Sequence, residues 1–199
     1  MPSLDIQRSS FIIKHYPFII KFLIVKILKK ILIVILSIVG IGFFMPGTTH
    51  LERSAEINAP ANVVFDQINE LKNWKNWSPW YKMDTTMEMK FSEQSSASTG
   101  AYYTWASKNS GLGAGKLTIL DATTNQNVKC KMEFGSMGAS QATFSLTAKD
   151  STSTKIVWAF DDDNGLNPLK RWTGLLMDKF IGSDYEKGLS SIKEICERK

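Results

Sequence analysis

The side chains that could move protons or hold a metal are few and scattered along this 199-residue chain. Its two histidines are His15 and His50, one before and one just after an apolar run. Neither sits where a folded domain would build a His-based acid/base pair, a nucleophilic triad or a zinc site. GLGAG, Gly111–Gly115, has the composition of a phosphate cradle. It joins two strand-like stretches and lacks the helix N-terminus that holds an anion, so it reads as a flexible hairpin. DDDNG, Asp161–Gly165, resembles the opening of a calcium loop, but the twelfth position is Trp172 instead of glutamate. It reads as a solvated turn. Glu88 and Glu133 should point to water, and Asp66 and Glu70 fall on the polar side of a helix. The polar groups left for a ligand's headgroup are Tyr81, Tyr102, Tyr103 and Arg171, which suit binding more than catalysis. No cofactor is expected, and an enzyme is the weaker reading.

Aromatic residues are placed less evenly. LKNWKNWSPWY, Leu71–Tyr81, sets Trp74, Trp77 and Trp80 three residues apart, half of the six tryptophans in the chain. Such a run can be a core seam, a lip that touches a ligand, or a surface that meets a membrane. Periodicity alone leaves these three open.

The elements that must position these residues divide at about residue 50. Six of the 24 lysines and arginines, but one of the 19 acids, precede His50. The remainder therefore carries eighteen of each sign and is neutral, which offers no electrostatic footprint to nucleic acid. The excess charge flanks ILIVILSIVGIGFFM, Ile31–Met45, fifteen residues without a charge. Lysines near helix ends can snorkel and lengthen such a run toward the roughly 20 residues a spanning helix needs. The sequence thus predicts a basic, apolar extension over residues 1–28, broken by Pro17, and a transmembrane anchor over 29–46. A cleaved signal peptide is disfavoured, because FFMPGTTH has no small-x-small site. Positive charge before the span places the N-terminus inside and the domain of residues 50–199 outside the cytoplasmic membrane. That compartment would permit a bridge between Cys130 and Cys196. Two cysteines in a domain of this size read more readily as free, buried thiols.

Beyond residue 50 the hydrophobic period changes repeatedly. HLERSAEINAP reads as a strand, and Pro60 opens a helix whose stripe is Val64, Phe65, Ile68, Leu71 and Trp74. Short strands follow over 101–106, 116–121, 128–134, 142–148 and 155–161, with a turn predicted over GSMGAS, Gly135–Ser140. Their inward positions include Tyr103 and Trp105, then Val128, Cys130, Met132 and Phe134, then Phe144, Trp158 and Phe160. Alternation with short, turn-rich links means an antiparallel meander with one wet face. A long helix closes the chain, with Leu169, Trp172, Leu175, Leu176 and Phe180 on its first half, Tyr185, Leu189, Ile192 and Ile195 on its second, and a bend allowed at Gly182-Ser183. The fold class is therefore α+β: a curved antiparallel sheet gripping a long C-terminal helix, preceded by a transmembrane helix. Between sheet and helix lies a volume. Its lining would be the large inward residues of the strands, Trp172, Leu176 and Phe180 from the helix, and Trp77, Trp80 and Tyr81 at the open end.

ERSAEINAPANVVFDQINELKNWKNWSPW and the ending DYEKGLSSIKEICE resemble the START-like (SRPBCC) helix-grip superfamily, in its polyketide cyclase/dehydrase-like and lipid-transport-like group. The resemblance covers about residues 50–197. It implies a hydrophobic cavity for lipids, sterols or polyketides and leaves the reaction unspecified. The leading expectation is a membrane-anchored module that binds a hydrophobic small molecule or lipid. The alternatives are a cyclase/dehydrase-type enzyme and a protein-interaction domain whose cavity is filled by side chains.

Overall fold

The computed structural model describes residues 4–93, 96–135 and 138–198, with side chains from residue 20 onward. The elements run α1 (Leu4–Gly42), β1 (Thr48–Ile57), α2 (Ala61–Asn69), a 3-10 turn (Leu71–Asn73), α3 (Trp74–Trp77) and α4 (Pro79–Met83). Then come β2 (Glu88–Phe91), β3 (Tyr102–Ala106), β4 (Ala114–Thr123), β5 (Asn127–Glu133), β6 (Ala139–Ala148), β7 (Thr154–Asp163) and α5 (Pro168–Glu197). The strands form one antiparallel sheet in the order β1-β7-β6-β5-β4-β3-β2. The first strand thus pairs with the last, and β2 to β7 form a continuous meander. The predicted curved sheet with a long C-terminal helix is what the chain adopts.

Alternation drives the strands. Along β5, Val128, Cys130 and Met132 are buried while their neighbours are half-buried, the signature of a sheet with one core face. The register slips between Ile119 and Asp121 opposite β5. This bulge leaves Leu120 exposed and bends the sheet. β2 was not anticipated: four residues at the sheet's edge, with Met89 and Phe91 half-buried, give too short a pattern to read. β7 continues through Asp161–Asp163, where the sequence suggested a turn. Gln94 and Ser95 lie outside the described residues, as do Ser136 and Met137 of the predicted GSMGAS turn.

The predicted helix over 61–74 stops early. Glu70 is extended, and Leu71 donates its backbone N–H to the Ser96 carbonyl. The Glu70 carboxylate is bonded to the Lys72 amide and the Ser96 hydroxyl. A helix end leaves its last carbonyls without partners, and here the tryptophans supply them. The Trp74 indole donates to the Ile68 carbonyl at 2.9 Å, and the Trp77 indole to the Gln67 carbonyl at 2.8 Å. The Asn73 amide donates to the Asp66 carbonyl at 2.9 Å. Both tryptophans are fully buried, so the run is in part a C-terminal cap made of core side chains. Ser78 then caps α4, whose first residue is Pro79.

α5 is continuous through Gly182-Ser183. Asn167 caps it by accepting from the Leu169 and Lys170 amides, with Pro168 in the first turn. Its second half packs inward through Tyr185, Gly188, Leu189 and Ile192.

α1 departs from expectation. It runs unbroken past Pro17 and ends at Gly42. Among the described residues, no helix is long and apolar enough to cross a membrane, which corrects the transmembrane anchor expected over 29–46. The reason is spacing. Lys26, Lys29 and Lys30 divide the apolar run, and Gly42 ends the helix. The uncharged helical stretch from Ile31 to Gly42 is about 18 Å long, against a hydrocarbon core of about 30 Å.

At the β1–β7 edge, His50 Nδ1 lies 2.7 Å from the Asp161 carboxylate. That hydrogen bond, with the nearby charges of Asp161 and Glu52, raises the imidazole's pKa. A raised folded-state pKa stabilises the fold below the ordinary histidine value, near 6.5, and the gain fades as pH rises through the folded value. Both side chains are at least half exposed, so the gain is about 0.5 kcal/mol after screening. His50→Gln should therefore lose more stability at about pH 5.5 than at about pH 8.5 in urea unfolding. An equal loss at both would remove the pair from the stability balance.

Candidate functional site in the sheet–helix interior

The concave face of the sheet brings rings from every layer together. Trp158 on β7 is the hub. It stacks on Phe144 of β6 at 4.9 Å between centroids and on Tyr185 of α5 at 3.9 Å. Trp77 and Trp80 meet it edge-on at 5.4 and 5.7 Å. Trp74 contacts Trp77, Phe144 and Tyr103. From Tyr103 the rings continue toward the sheet's other edge through Trp105 and Phe134, with Phe91 beside them. Edge-to-face and offset contacts of this kind suit the ring quadrupoles. Trp105 gains its place from Gly115 across the β3–β4 ladder, since a Cβ there would overlap the indole.

Two polar atoms in this apolar interior are notable. The Trp158 indole N–H and the Tyr185 hydroxyl are buried and lack partners among the described residues. The two rings are 1% and 0% exposed. Burial, reinforced by the charge of Asp161, pushes the Tyr185 hydroxyl's pKa far up. The phenol is therefore a standing proton donor and not a phenolate. Burial likewise raises Tyr103 and pushes the Cys130 thiol up to about 12. Cys130 and Cys196 are unbridged.

The expected lining residues divide into groups. Trp77, Tyr103, Met132, Phe144, Trp158 and Phe160 are buried core, and Trp80, Trp105 and Phe134 pack half-buried against it. Leu176 and Phe180 are exposed, so they do not cover the interior. Trp172 is also misplaced by the sequence reading. Its indole donates to the Ile38 carbonyl of α1 at 3.0 Å, away from the sheet. Arg171 does not reach a cavity rim. Its guanidinium donates to the carbonyls of Phe43, Met45 and Gly165. Tyr102 is on the opposite face from Tyr103, beneath Lys116 at 4.1 Å, and Tyr81 is half-buried 5.7 Å from the Lys75 ammonium.

Sequence reasoning placed Tyr185 on an apolar stripe and passed over Asp184, the one carboxylate among the buried described residues. Asp184 pairs with Lys187 at 3.1 Å. The acid-aromatic step in DYEKGL was the available signal. Two surface depressions of about 350 and 460 Å³ flank Lys82, which donates to the Ser191 hydroxyl. Both lie outside the sheet–helix interior.

A seven-stranded antiparallel sheet closed by a long C-terminal helix defines a helix-grip protein. Residues 48–197 match the family described as polyketide cyclase/dehydrase and lipid transport, and the chain belongs to it. Solved structures share the fold. The ZhuI aromatase/cyclase from Streptomyces sp. R1128 aligns with TM-score 0.55 and 15% identity, over 76% of this chain and 94% of its own. A Thalictrum flavum norcoclaurine synthase point mutant, in complex with a transition-state analogue, gives 0.57 and 11%, over 75% and 94%. A Thermobifida fusca protein solved by NMR gives 0.57 and 15%, over 73% and 91%. No curated protein sequence matches the chain.

Proposed function

We propose that the chain is a binding module for a hydrophobic small molecule carrying a hydrogen-bond acceptor, held between the sheet and α5. The observation that supports this reading is the pair of orphaned donors, Trp158 Nε1–H and Tyr185 O–H, in an apolar interior. A buried donor without a partner costs about 1–3 kcal/mol, so a carbonyl or hydroxyl oxygen placed there recovers that loss. The family's description and the cyclase and synthase neighbours favour ligands with aromatic or polyketide character. α1 would keep the module at a membrane, where such ligands partition. Seventeen large apolar side chains between Ile20 and Phe44 are exposed, interleaved with Lys21, Lys26, Lys29 and Lys30.

The close ring packing favours a second reading, a protein-interaction domain whose interior is filled by its own side chains. A cyclase-type enzyme draws less support. Its best acid, Asp184, is tied to Lys187 instead of standing unpaired.

Titration with 2-naphthol, read by tryptophan emission, separates the readings. No tryptophan lies in α1, and of the six Trp172 is the one bonded to it, so the signal comes mainly from the domain. Saturable quenching is expected, with Tyr185→Phe and Trp158→Phe each weakening it about tenfold, the worth of one hydrogen bond. Quenching that never saturates, or that both variants leave intact, favours the filled interior.

A further inference from the structure

The first half of α5 and the end of α1 leave a contiguous apolar surface uncovered. Phe44 is 92% exposed, Leu166 78% and Leu169 63%. Leu176 and Phe180, also exposed, follow Leu169 at seven and eleven residues, on the same side of a helix. These residues are neighbours because the β7–α5 connection wraps the end of α1. Asn164 donates its amide to the Gly47 carbonyl. Arg171 donates to Phe43 and Met45, and Trp172 to Ile38. Pro168 lies so close to Gly42 that a Cβ there would come within 2.7 Å of the ring. The surface is therefore a direct continuation of α1's exposed apolar side chains onto the domain.

Cations lie close to it. Lys170, Arg171 and Lys179 border it, Asp178 is engaged by Arg53 at 2.5 Å, and Asp163 accepts from the Gly165 amide. Apolar side chains flanked by the Lys170 and Lys179 ammoniums fit an anionic lipid surface, into which the former insert while the latter meet headgroups. We propose that Phe44, Leu166, Leu169, Leu176 and Phe180 dock the domain itself onto an anionic bilayer. This rests on the reading that α1 sits at a membrane, and it adds a second contact that lays α5 along the lipid. A ligand leaving the bilayer would then meet the helix that closes the interior.

The test places a nitrobenzoxadiazole label on Leu169→Cys in the full chain. Cys130 is buried and burial raises the Cys196 thiol to about 11, so neither competes at neutral pH. Labels on Ile33→Cys and Thr147→Cys report α1 and a remote, exposed strand position. The protein is reconstituted in vesicles of phosphatidylcholine and phosphatidylglycerol. The Leu169 label should be quenched by doxyl-acyl lipid and protected from iodide, while the Thr147 label behaves oppositely. Iodide access at Leu169 overturns the docking surface, whatever the Ile33 label shows. Protection from both quenchers overturns it too, because protein and not lipid then covers the face. Iodide access at Ile33 as well would remove the membrane role of α1 along with it.

Discussion

Trp158→Ala should lower the free energy of unfolding by about 4 kcal/mol, the range found for deleting a large buried aromatic side chain. The ring contacts Phe144, Tyr185, Trp77 and Trp80, so four rings lose a neighbour at once. The site is also poorly placed to collapse. Phe144 is fixed to β6 opposite Trp158 in the ladder, and the Trp77 indole is held by the Gln67 carbonyl. Urea unfolding followed by the remaining tryptophans measures the effect. Trp158→Phe, which keeps a ring in the stack and also removes the orphaned N–H, should cost about 1–2 kcal/mol. An alanine variant within about 1 kcal/mol of wild type would mean that the interior relaxes freely, and the hub would lose its structural role.

Gly188→Val should cost about 3 kcal/mol by overpacking the same site from the other side. A Cβ built on Gly188 comes within 2.6 Å of Trp158 Cζ3 and 3.4 Å of Pro79 Cδ. Neither neighbour is a flexible chain end. Trp158 is locked in its stack, and Pro79 is the fully covered first residue of α4. Alanine at 188 would gain about 1 kcal/mol of helix propensity over glycine, yet it meets the same ring and should still destabilise. Ser190→Ala, on the exposed side of α5, is the control and should stay within about 0.5 kcal/mol. Because both sites act through Trp158, the double variant Trp158→Ala/Gly188→Val should lose less than the two singles together. Strict additivity would show that the glycine does not owe its place to the indole.

The sheet was legible because its signal is local. Each of β5, β6 and β7 alternates buried with less buried residues over at least seven positions, and one face is dry. The aromatic hub was legible for the same reason, as Phe144 and Trp158 are inward by parity alone. What escaped depended on partners distant in sequence. The stripe from Val64 to Trp74 reads as one helix, but Ser96 draws Leu71 and Glu70 away from it. Trp172 sits on the apolar side of an amphipathic pattern, yet its partner is a carbonyl of α1, 134 residues earlier. Arg171 likewise looked like a rim residue because nothing in its neighbourhood announces that Phe43 and Met45 need donors. Tyr185 was placed correctly as an inward residue, but its missing partner is a property of the packed interior that no spacing reveals.

The clasp of Arg171 and Trp172 on the end of α1 has a mechanical meaning. A domain joined to a preceding helix by a slack leash searches a hemisphere and approaches its surroundings in any pose. Here Phe43–Gly47 is strapped to the start of α5 by side-chain and backbone bonds on both sides. α1 and α5 therefore act as two arms of one bracket. A tilt of the first arm turns the second with it, and the gripping helix inherits the attitude of the segment that precedes the domain.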